Sequence, residues 1–214
     1  MPEEKKSRSE QKREAIIEAA KSAFKEMGVQ GCSMDKLAEL AQVSKRTLYN
    51  HFQTKENLVV HIFQEMWQRA MTSIEFQYDP HSAVEEQLKH LLKEEVDLIG
   101  SEEYVQLNRI ALAHFLYHPD DLQNVVTSLE DQEKTLDTWL QAAIDDGRLA
   151  VDNLDAAIEQ IHGLLKGACF WPQVACLQPV LTEEEKASLT ERTVNMFMNT
   201  YTRNTSRCST SASE

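Results

Sequence analysis

The chain has 214 residues and a formal net charge of -13 at pH 7, from 22 Lys and Arg against 35 Asp and Glu. A chain of this length buries a core large enough to fold unaided. With only 6 Gly and 5 Pro, a fold built from many tight hairpins is disfavoured. If this negative charge were spread evenly along the chain, the protein would repel nucleic acid.

Neither a membrane span nor a targeting segment is visible in the sequence. Apolar runs fall short of the roughly 18 residues that a span needs, and the first ten residues, MPEEKKSRSE, are charged with no apolar segment behind them. We therefore expect a cytoplasmic protein with no membrane partner. Cys32, Cys169, Cys176 and Cys208 form no CxxC pair, so reduced thiols are expected rather than a disulfide framework.

Apolar residues recur at spacings of three and four along most of the chain, which predicts an all-α fold of about nine helices and no strand. Gly28 is expected to end the first helix, and Gly147 ends the helix that begins at Pro119. The other residues predicted to begin helices are Ser33, Ser44, Thr54, Ser82, Asp152 and Thr182. Residues 204–214 are rich in Ser and Thr with almost nothing apolar, which predicts a disordered tail.

The acidity belongs to one part of the chain. Residues 1–56 hold 11 Lys and Arg against 9 Asp and Glu, a balance of +2. Residues 57–214 hold 11 against 26, a balance of -15. The amino-terminal part therefore does not share the repulsion that the net charge suggests.

Two short helices, residues 34–41 and 45–52, are separated by a turn of two or three residues, which is the spacing of a helix-turn-helix. Small Ala38 and Ala41 let the helices cross closely, while Leu48 and Phe52 anchor the second helix. The side chains left facing outward include no acid and suit phosphate oxygens and base edges together. They are Lys45, Arg46, Thr47, Tyr49, Asn50 and His51.

The stretch SMDKLAELAQVSKRTLYNHFQTKENL, residues 33–58, resembles the signature of TetR-family transcriptional regulators. The helical remainder is similar to that family in length and layout, and residues 164–171 resemble its AefR-like subgroup. The resemblance implies an all-α homodimer with a helix-turn-helix DNA-binding domain at 1–56. A helical effector-binding and dimerisation domain would follow at 57–203, before the tail at 204–214.

The resemblance also implies roles for individual residues. By position in the motif, Ser33, Thr47, Tyr49, His51 and Lys55 would contact phosphates, and Lys45, Arg46 and Asn50 would lie nearest the bases. Ser44, which caps the second helix, is assigned to the same DNA interface.

Two residues depart from the family pattern. Gln42 stands where the turn usually has Gly, which costs about 1 kcal/mol if its φ is positive. Arg46 stands where Gly or Pro is common. Its side chain could read a guanine, a pairing that discriminates by about 1 to 3 kcal/mol, or could hold a phosphate instead.

Part of the apolar stripe on the fourth helix is expected to line an effector pocket, although ordinary core packing explains the same residues. Polar residues at inward positions need partners, which an effector or an internal hydrogen bond can supply. The candidate effector contacts are Phe63, Met66, Trp67, Phe115, Trp139 and Phe170, together with the polar Asn108, Arg109, Gln132 and His162. Their composition favours a small apolar or amphipathic effector.

The expected function is that of a dimeric repressor released from a pseudo-palindromic operator by its effector. The dimer would form through the last two predicted helices, where Gly163 and Gly167 allow close approach. The rival interpretation is an effector-less DNA-binding architectural or interaction protein, whose carboxyl-terminal domain only dimerises.

Other functions have weaker support. The sequence holds no phosphate-binding loop, GxSxG or HExxH motif, so neither an enzyme nor a cofactor is expected. His114 and His118 could ligate a metal from one helix face, but positive charge near a helix end explains them as well. Cys169 and Cys176 could sense oxidants, although their apolar neighbours favour inert, buried thiols.

Overall fold

The computed structural model describes residues 7–72, 76–129 and 135–202. Across these ranges the chain is all-α, as predicted, and the antiparallel bridge between Leu149 and Thr202 is isolated. The helices are α1 (Arg8–Gly31), α2 (Met34–Leu40), α3 (Lys45–His51), α4 (Lys55–Thr72), α5 (Val84–Ile99), α6 (Glu102–Phe115), α7 (Pro119–Leu129), α8 (Thr135–Asp145), α9 (Leu154–Cys169), α10 (Trp171–Val174) and α11 (Glu183–Tyr201).

These eleven described segments compare with about nine expected helices. α10 is a separate segment of four residues, and α7 and α8 are described on either side of residues 130–134. The predicted tail at 204–214 lies outside the described residues.

Most helices begin at the positions that the capping residues in the sequence predict. Ser33, Ser44 and Thr182 each accept a hydrogen bond from the backbone N–H three residues later, and Thr54 caps α4 in the same way. Such a bond satisfies one of the N–H groups left open at a helix start and contributes about 1 kcal/mol. Pro119 is the first residue of α7, as predicted.

Two predicted helix starts are wrong. Ser82 does not cap α5, because the N-cap position is Ala83 and the Ser82 hydroxyl donates to Asp79. The cap of α9 is Asn153 rather than the neighbouring Asp152. At α5 the hydroxyl of Ser82 is engaged by Asp79 and no side chain caps the helix, while at α9 the adjacent Asn153 accepts the capping hydrogen bond; spacing alone does not show either outcome.

Gly28 interrupts α1 with φ of 69° and ψ of 164°, a conformation that only glycine adopts readily. The regular part of the helix ends there as predicted, and the chain makes a further turn to Gly31. At its other end, α1 begins with a capping box of Ser7 and Glu10 that the sequence analysis had not identified.

The chain forms two compact units, of which the first consists of Met1–Arg69 and Glu103–Asp131. Its core joins α1, α2, α3 and the first half of α4, and Leu107 and Ile110 of α6 pack against that core. The buried members of this core include Ile16, Ile17, Ala20, Ala23, Phe24, Leu37, Ala38, Leu48, Phe52 and Leu58. The predicted domain boundary between residues 56 and 57 remains a prediction.

The second unit consists of Ala70–Glu102 and Gln132–Glu214. In it α5, α8, α9 and α11 pack on one another. The apolar residues of α11 recur at helical spacing, but Met196 is 57% exposed, while Val194 is buried. Helical spacing identifies a stripe only to within one residue on either side, so such shifts at its edge are not resolved from sequence.

No described helix is long and apolar enough to cross a membrane.

Candidate nucleic-acid interface

Two seven-residue helices, α2 and α3, form the helix-turn-helix. Ala38 is buried on α2, and Leu48 and Phe52 anchor α3 in the core. A hydrogen bond of 3.0 Å from the Val43 N–H to the Ala38 carbonyl closes the turn. Gln42 has φ of 53°, so its backbone lies in the left-handed region, which costs a residue with a side chain roughly 1 kcal/mol.

The buried side of α3 fixes which side chains face outward. Lys45, Arg46, Tyr49 and Asn50 are exposed, at positions that share one helical face. Thr47 and His51 of α3 and Lys55 of α4 are half-buried, whereas Ser33 and Ser44 are exposed at the N-caps of α2 and α3. All nine predicted DNA contacts therefore keep some exposed surface, and none of those on α3 is acidic.

The hydroxyl groups at these helix starts already have partners. Ser44 Oγ accepts from the Thr47 N–H at 3.1 Å and lies 2.8 Å from Thr47 Oγ1. Ser33 Oγ accepts from the Lys36 N–H at 3.1 Å. Since a hydroxyl both donates and accepts, each can still offer hydrogen-bonding capacity to a phosphate.

Lys45 has an acidic neighbour in space. Its Nζ lies 2.6 Å from Asp35 Oδ2 on α2, and both side chains are more than half exposed. Asp35 lies ten residues earlier in the chain, so the residues of α3 alone do not indicate this neighbour. An exposed pair of this kind contributes about 0 to 1 kcal/mol, so a DNA phosphate could replace the carboxylate.

A second cluster that the sequence analysis missed joins the end of α3 to α1 and α4. The Arg13 guanidinium lies 5.5 Å from the centroid of the Phe52 ring, and its Nη2 is 3.3 Å from His61 Nδ1. The Phe52 and His61 ring centroids are 5.4 Å apart. Burial, and then the charge of Arg13, lower the pKa of His61 below its usual value. His61 therefore packs, together with Arg13, against Phe52 at the end of the helix that carries the outward face.

Comparison with known proteins identifies the family. Residues 16–62 match the family described as bacterial regulatory proteins, tetR family, and residues 86–203 match the AefR-like transcriptional repressor, C-terminal domain. A TetR family transcriptional regulator from Pseudomonas syringae pv. tomato is 34% identical, covering 91% of this chain and 98% of its own, with a TM-score of 0.75. The chain belongs to the TetR family of transcriptional regulators.

Two further comparisons add a likeness in sequence and a likeness in fold. The transcriptional regulator RutR from Escherichia coli O157:H7 is 29% identical over 146 residues, and the chain spans 65% of its length. A TetR-family protein from Mesorhizobium loti shares the fold with a TM-score of 0.74 at 21% identity, over 92% of this chain and 100% of that protein. TetR-family proteins are DNA-binding transcriptional regulators and not enzymes, and the predicted AefR-like resemblance is confirmed.

Several of the predicted effector contacts of this TetR-family protein lie in the first unit and pack on one another. Phe63 and Phe115 are buried edge to face, with ring centroids 4.9 Å apart, and Trp67 lies 5.3 Å from Phe63. The buried Asn108 donates to a backbone carbonyl one turn earlier at 2.8 Å and contacts Met66 Sδ at 3.5 Å. Internal partners therefore account for the Asn108 amide without an effector.

The remaining candidates are distributed differently. In the second unit Trp139 and Phe170 are buried, and His162 Nε2 lies 3.2 Å from Glu95 Oε1. Gln132 lies outside the described residues. Arg109 is exposed on α6 in the first unit, where it lines a large cleft. The effector contacts remain predictions.

The metal and thiol alternatives can be compared with the local geometry. His114 Nε2 is 2.9 Å from Asp121 Oδ2, and its ring stacks on His118 at 4.5 Å. No cluster of three His, Cys, Asp or Glu side chains suited to a metal occurs within the described ranges. Cys169 is buried, which raises its pKa to about 11, but Cys176 is exposed, so the expectation of two buried thiols is wrong for Cys176. Cys176 follows the short α10 with φ of 60°, beyond the helix that buries Cys169.

Proposed function

We propose that this TetR-family protein is a homodimeric repressor that binds a pseudo-palindromic DNA operator and leaves it when a small apolar or amphipathic effector binds. The observation that carries the DNA-binding step is the outward face of α3, which presents cationic and amide donors and no acid. Such donors hold phosphates and match base edges in the major groove. Lys45, Arg46 and Asn50 face the bases; Ser33, Ser44, Thr47, Tyr49, His51 and Lys55 hold phosphates.

The experiment uses the full-length protein and fragments of its own genome. Enriched fragments are compared with random DNA in mobility-shift titrations at about 150 mM salt. We expect an inverted-repeat site bound at least about 1,000-fold more tightly than random DNA. Tyr49→Ala should weaken that binding, whereas Lys93→Ala in the second unit removes a positive charge without touching the interface. Equal affinity for random DNA and every genomic fragment would overturn the proposal.

The proposed dimer uses α9 and α11, the last two long helices. On α9, Gly163 and Gly167 are exposed, and a Cβ added at either would meet no atom of the same chain within 4 Å. Leu164 and Trp171 are exposed beside them although they are large and apolar. A second copy covering this face would remove these apolar groups from water.

The dimer has a direct test in sedimentation velocity. Since a Cβ added at Gly167 meets no atom of the same chain within 4 Å, we expect Gly167→Leu to keep the monomer fold and to weaken the dimer. Gln141→Leu places a leucine at an exposed position of α8, a helix outside the proposed dimer, and serves as the control. A wild-type protein that remains monomeric at operator-binding concentrations would refute the dimer. In such a dimer the two copies of α3 would lie about 34 Å apart, which is one turn of DNA.

The effector step is the part that distinguishes a sensor from an effector-less DNA-binding protein. A cleft of about 900 Å³ in the first unit favours the sensor, because an effector needs a cavity of a few hundred Å³. Loss of operator binding on addition of a compound that also raises the melting temperature would support release by an effector. An operator complex unaffected by every compound that binds the protein would favour the effector-less alternative.

A further inference from the structure

The cleft in the first unit is bounded by the end of α1, the first turn of α4 and one face of α6. Its volume of about 900 Å³ is in the range of small-molecule sites. Residues 106, 109, 110, 113 and 117, spaced by three and four, form the α6 wall and its continuation. On α1 the wall is the segment around the Gly28 kink, residues 24–30 without 26.

Small residues leave the cleft open. A Cβ added at Gly28 would meet no atom within 4 Å, so the chain has room at the kink. Opposite, Ala113 is exposed and contributes only a methyl group to the α6 wall. Phe24 lines the cleft while being itself buried in the core of the first unit.

The rim of the cleft exposes apolar surface. Met27 is 42% exposed and Tyr117 is 84% exposed, and half-buried Val29 and Ile110 line the same space. Large apolar side chains grouped around a concavity are typical of a binding site rather than of ordinary protein surface. An apolar or aromatic body would cover them.

The charged groups in the cleft are mostly cationic, in a chain whose net charge is -13. Lys25 and Arg109 bring two positive charges, and His114 and His118 add two imidazoles, with His114 held by Asp121. Glu56 is the carboxylate among the lining side chains. Two cations against one carboxylate favour an anionic group, while the uncharged part of the lining is mostly apolar, with Gln30 and Gln106 as its amides.

We infer that this cleft binds a small amphipathic anion, with an aromatic or apolar body and one carboxylate or sulfonate, and that it is the effector site. The effector role rests on the proposed function. Phe24 belongs both to the cleft and to the core that holds α2 and α3, and Ile110 of α6 packs against that core. A ligand that displaces either side chain therefore disturbs the support of the outward face of α3.

Anilinonaphthalene sulfonate is a suitable probe, because it joins an aromatic body to one sulfonate. N-phenyl-naphthylamine has the same rings without the sulfonate. In fluorescence and calorimetric titrations of the full-length protein, we expect one saturable site that binds the sulfonate at least about fivefold more tightly than the neutral compound at low salt.

Single-charge variants give the sign of the interaction. Arg109→Gln and Lys25→Gln should each weaken sulfonate binding, and Glu56→Gln should strengthen it, by up to about fivefold. None should change binding of the neutral compound to the same extent. Lys93→Gln, an equal charge change in the second unit, should leave both affinities unchanged.

Variants of Ala113 test the cleft itself. Ala113→Trp fills the space and should abolish saturable binding of both probes. Ala113→Glu should weaken sulfonate binding more than the isosteric Ala113→Gln. Because Ala113 is exposed on α6, these variants should fold, which circular dichroism checks.

Three outcomes separate this inference from the proposed function. Sulfonate binding that no cleft variant alters overturns the cleft site, even if operator binding is normal. Sulfonate binding that follows the cleft variants, in a protein that binds no operator, supports the ligand site and refutes the repressor. If the sulfonate binds in the cleft but leaves operator affinity unchanged, the cleft is not the effector site.

Discussion

Lys45 Nζ lies 2.6 Å from Asp35 Oδ2, so the first residue of α3 is paired with a carboxylate of the preceding helix, α2. In the proposed complex a DNA phosphate or base edge would take the place of that carboxylate. In that complex the pair would oppose DNA binding, because Lys45 would have to leave Asp35.

Removing the carboxylate should tighten DNA binding. For Asp35→Asn we expect operator affinity to rise by roughly 3- to 10-fold at low salt, because Lys45 no longer leaves a partner and one negative charge is lost. Competitive mobility shifts at two salt concentrations measure the effect. Glu39→Gln, which removes the exposed partner of Lys36 on the same helix, is the control. A weaker complex with Asp35→Asn would show that Asp35 positions Lys45 rather than competes for it.

Arg46→Ala should distinguish base reading from phosphate contact. If Arg46 reads a guanine, affinity for the operator falls and the preference at one base position relaxes, at a cost of about 1 to 3 kcal/mol. If it holds a phosphate, affinity falls uniformly over all sequences and the salt slope decreases by about 1. Titrations against operators substituted one base at a time separate the two. We expect the base-specific loss, and uniform loss would contradict it.

The elements of the DNA-binding part could be predicted because their signals are local. A capping Ser and its N–H partner are three residues apart, within one helical turn. The buried Leu48 and its exposed neighbours on α3 also lie within one turn. The same holds for the turn itself, where the missing Gly at position 42 pointed to strain. The order of the helices along the chain followed from the same periodicity.

The parts that sequence reasoning missed depend on contacts between distant segments. Asp35 meets Lys45 across a turn, and Arg13 and His61 are 48 residues apart. The cleft arises where α1 kinks opposite a small residue of α6, which no periodicity encodes. Inward position also proved a poor guide to effector contact, because Asn108 finds its partners within the protein.

Gln42→Gly should stabilise the protein. The residue has φ of 53°, and glycine adopts this conformation without the clash that costs an L-residue about 1 kcal/mol. The denaturation midpoint should therefore rise. Gln141→Gly makes the same chemical change inside α8 and should lower stability by about 1 kcal/mol. If both variants were destabilised equally, strain at Gln42 would not exist in solution.

The cysteines should differ in reactivity. Cys176 is exposed, whereas Cys32 and Cys169 are buried, and burial raises the pKa of both thiols, to about 11 for Cys169. Thiolate is the reactive form, so maleimide should modify Cys176 in the native protein and reach Cys32 and Cys169 only after denaturation. Mass spectrometry of peptides identifies each site. Rapid native labelling of Cys169 would contradict its burial.

His61 should make stability depend on pH. Burial and Arg13, with a smaller contribution from Lys21, lower its pKa, and Glu65 opposes them. The unfolded chain, with a His pKa of about 6.5, then binds a proton more readily than the folded protein. The full stability is present above about pH 6.5 and is lost as the pH falls towards the lower folded pKa. His61→Gln should lose less unfolding free energy between about pH 7.5 and about pH 5.5 than the exposed control His81→Gln, as measured by urea titration. An equal loss in the two variants would mean that His61 is protonated as easily in the folded protein as in the unfolded chain.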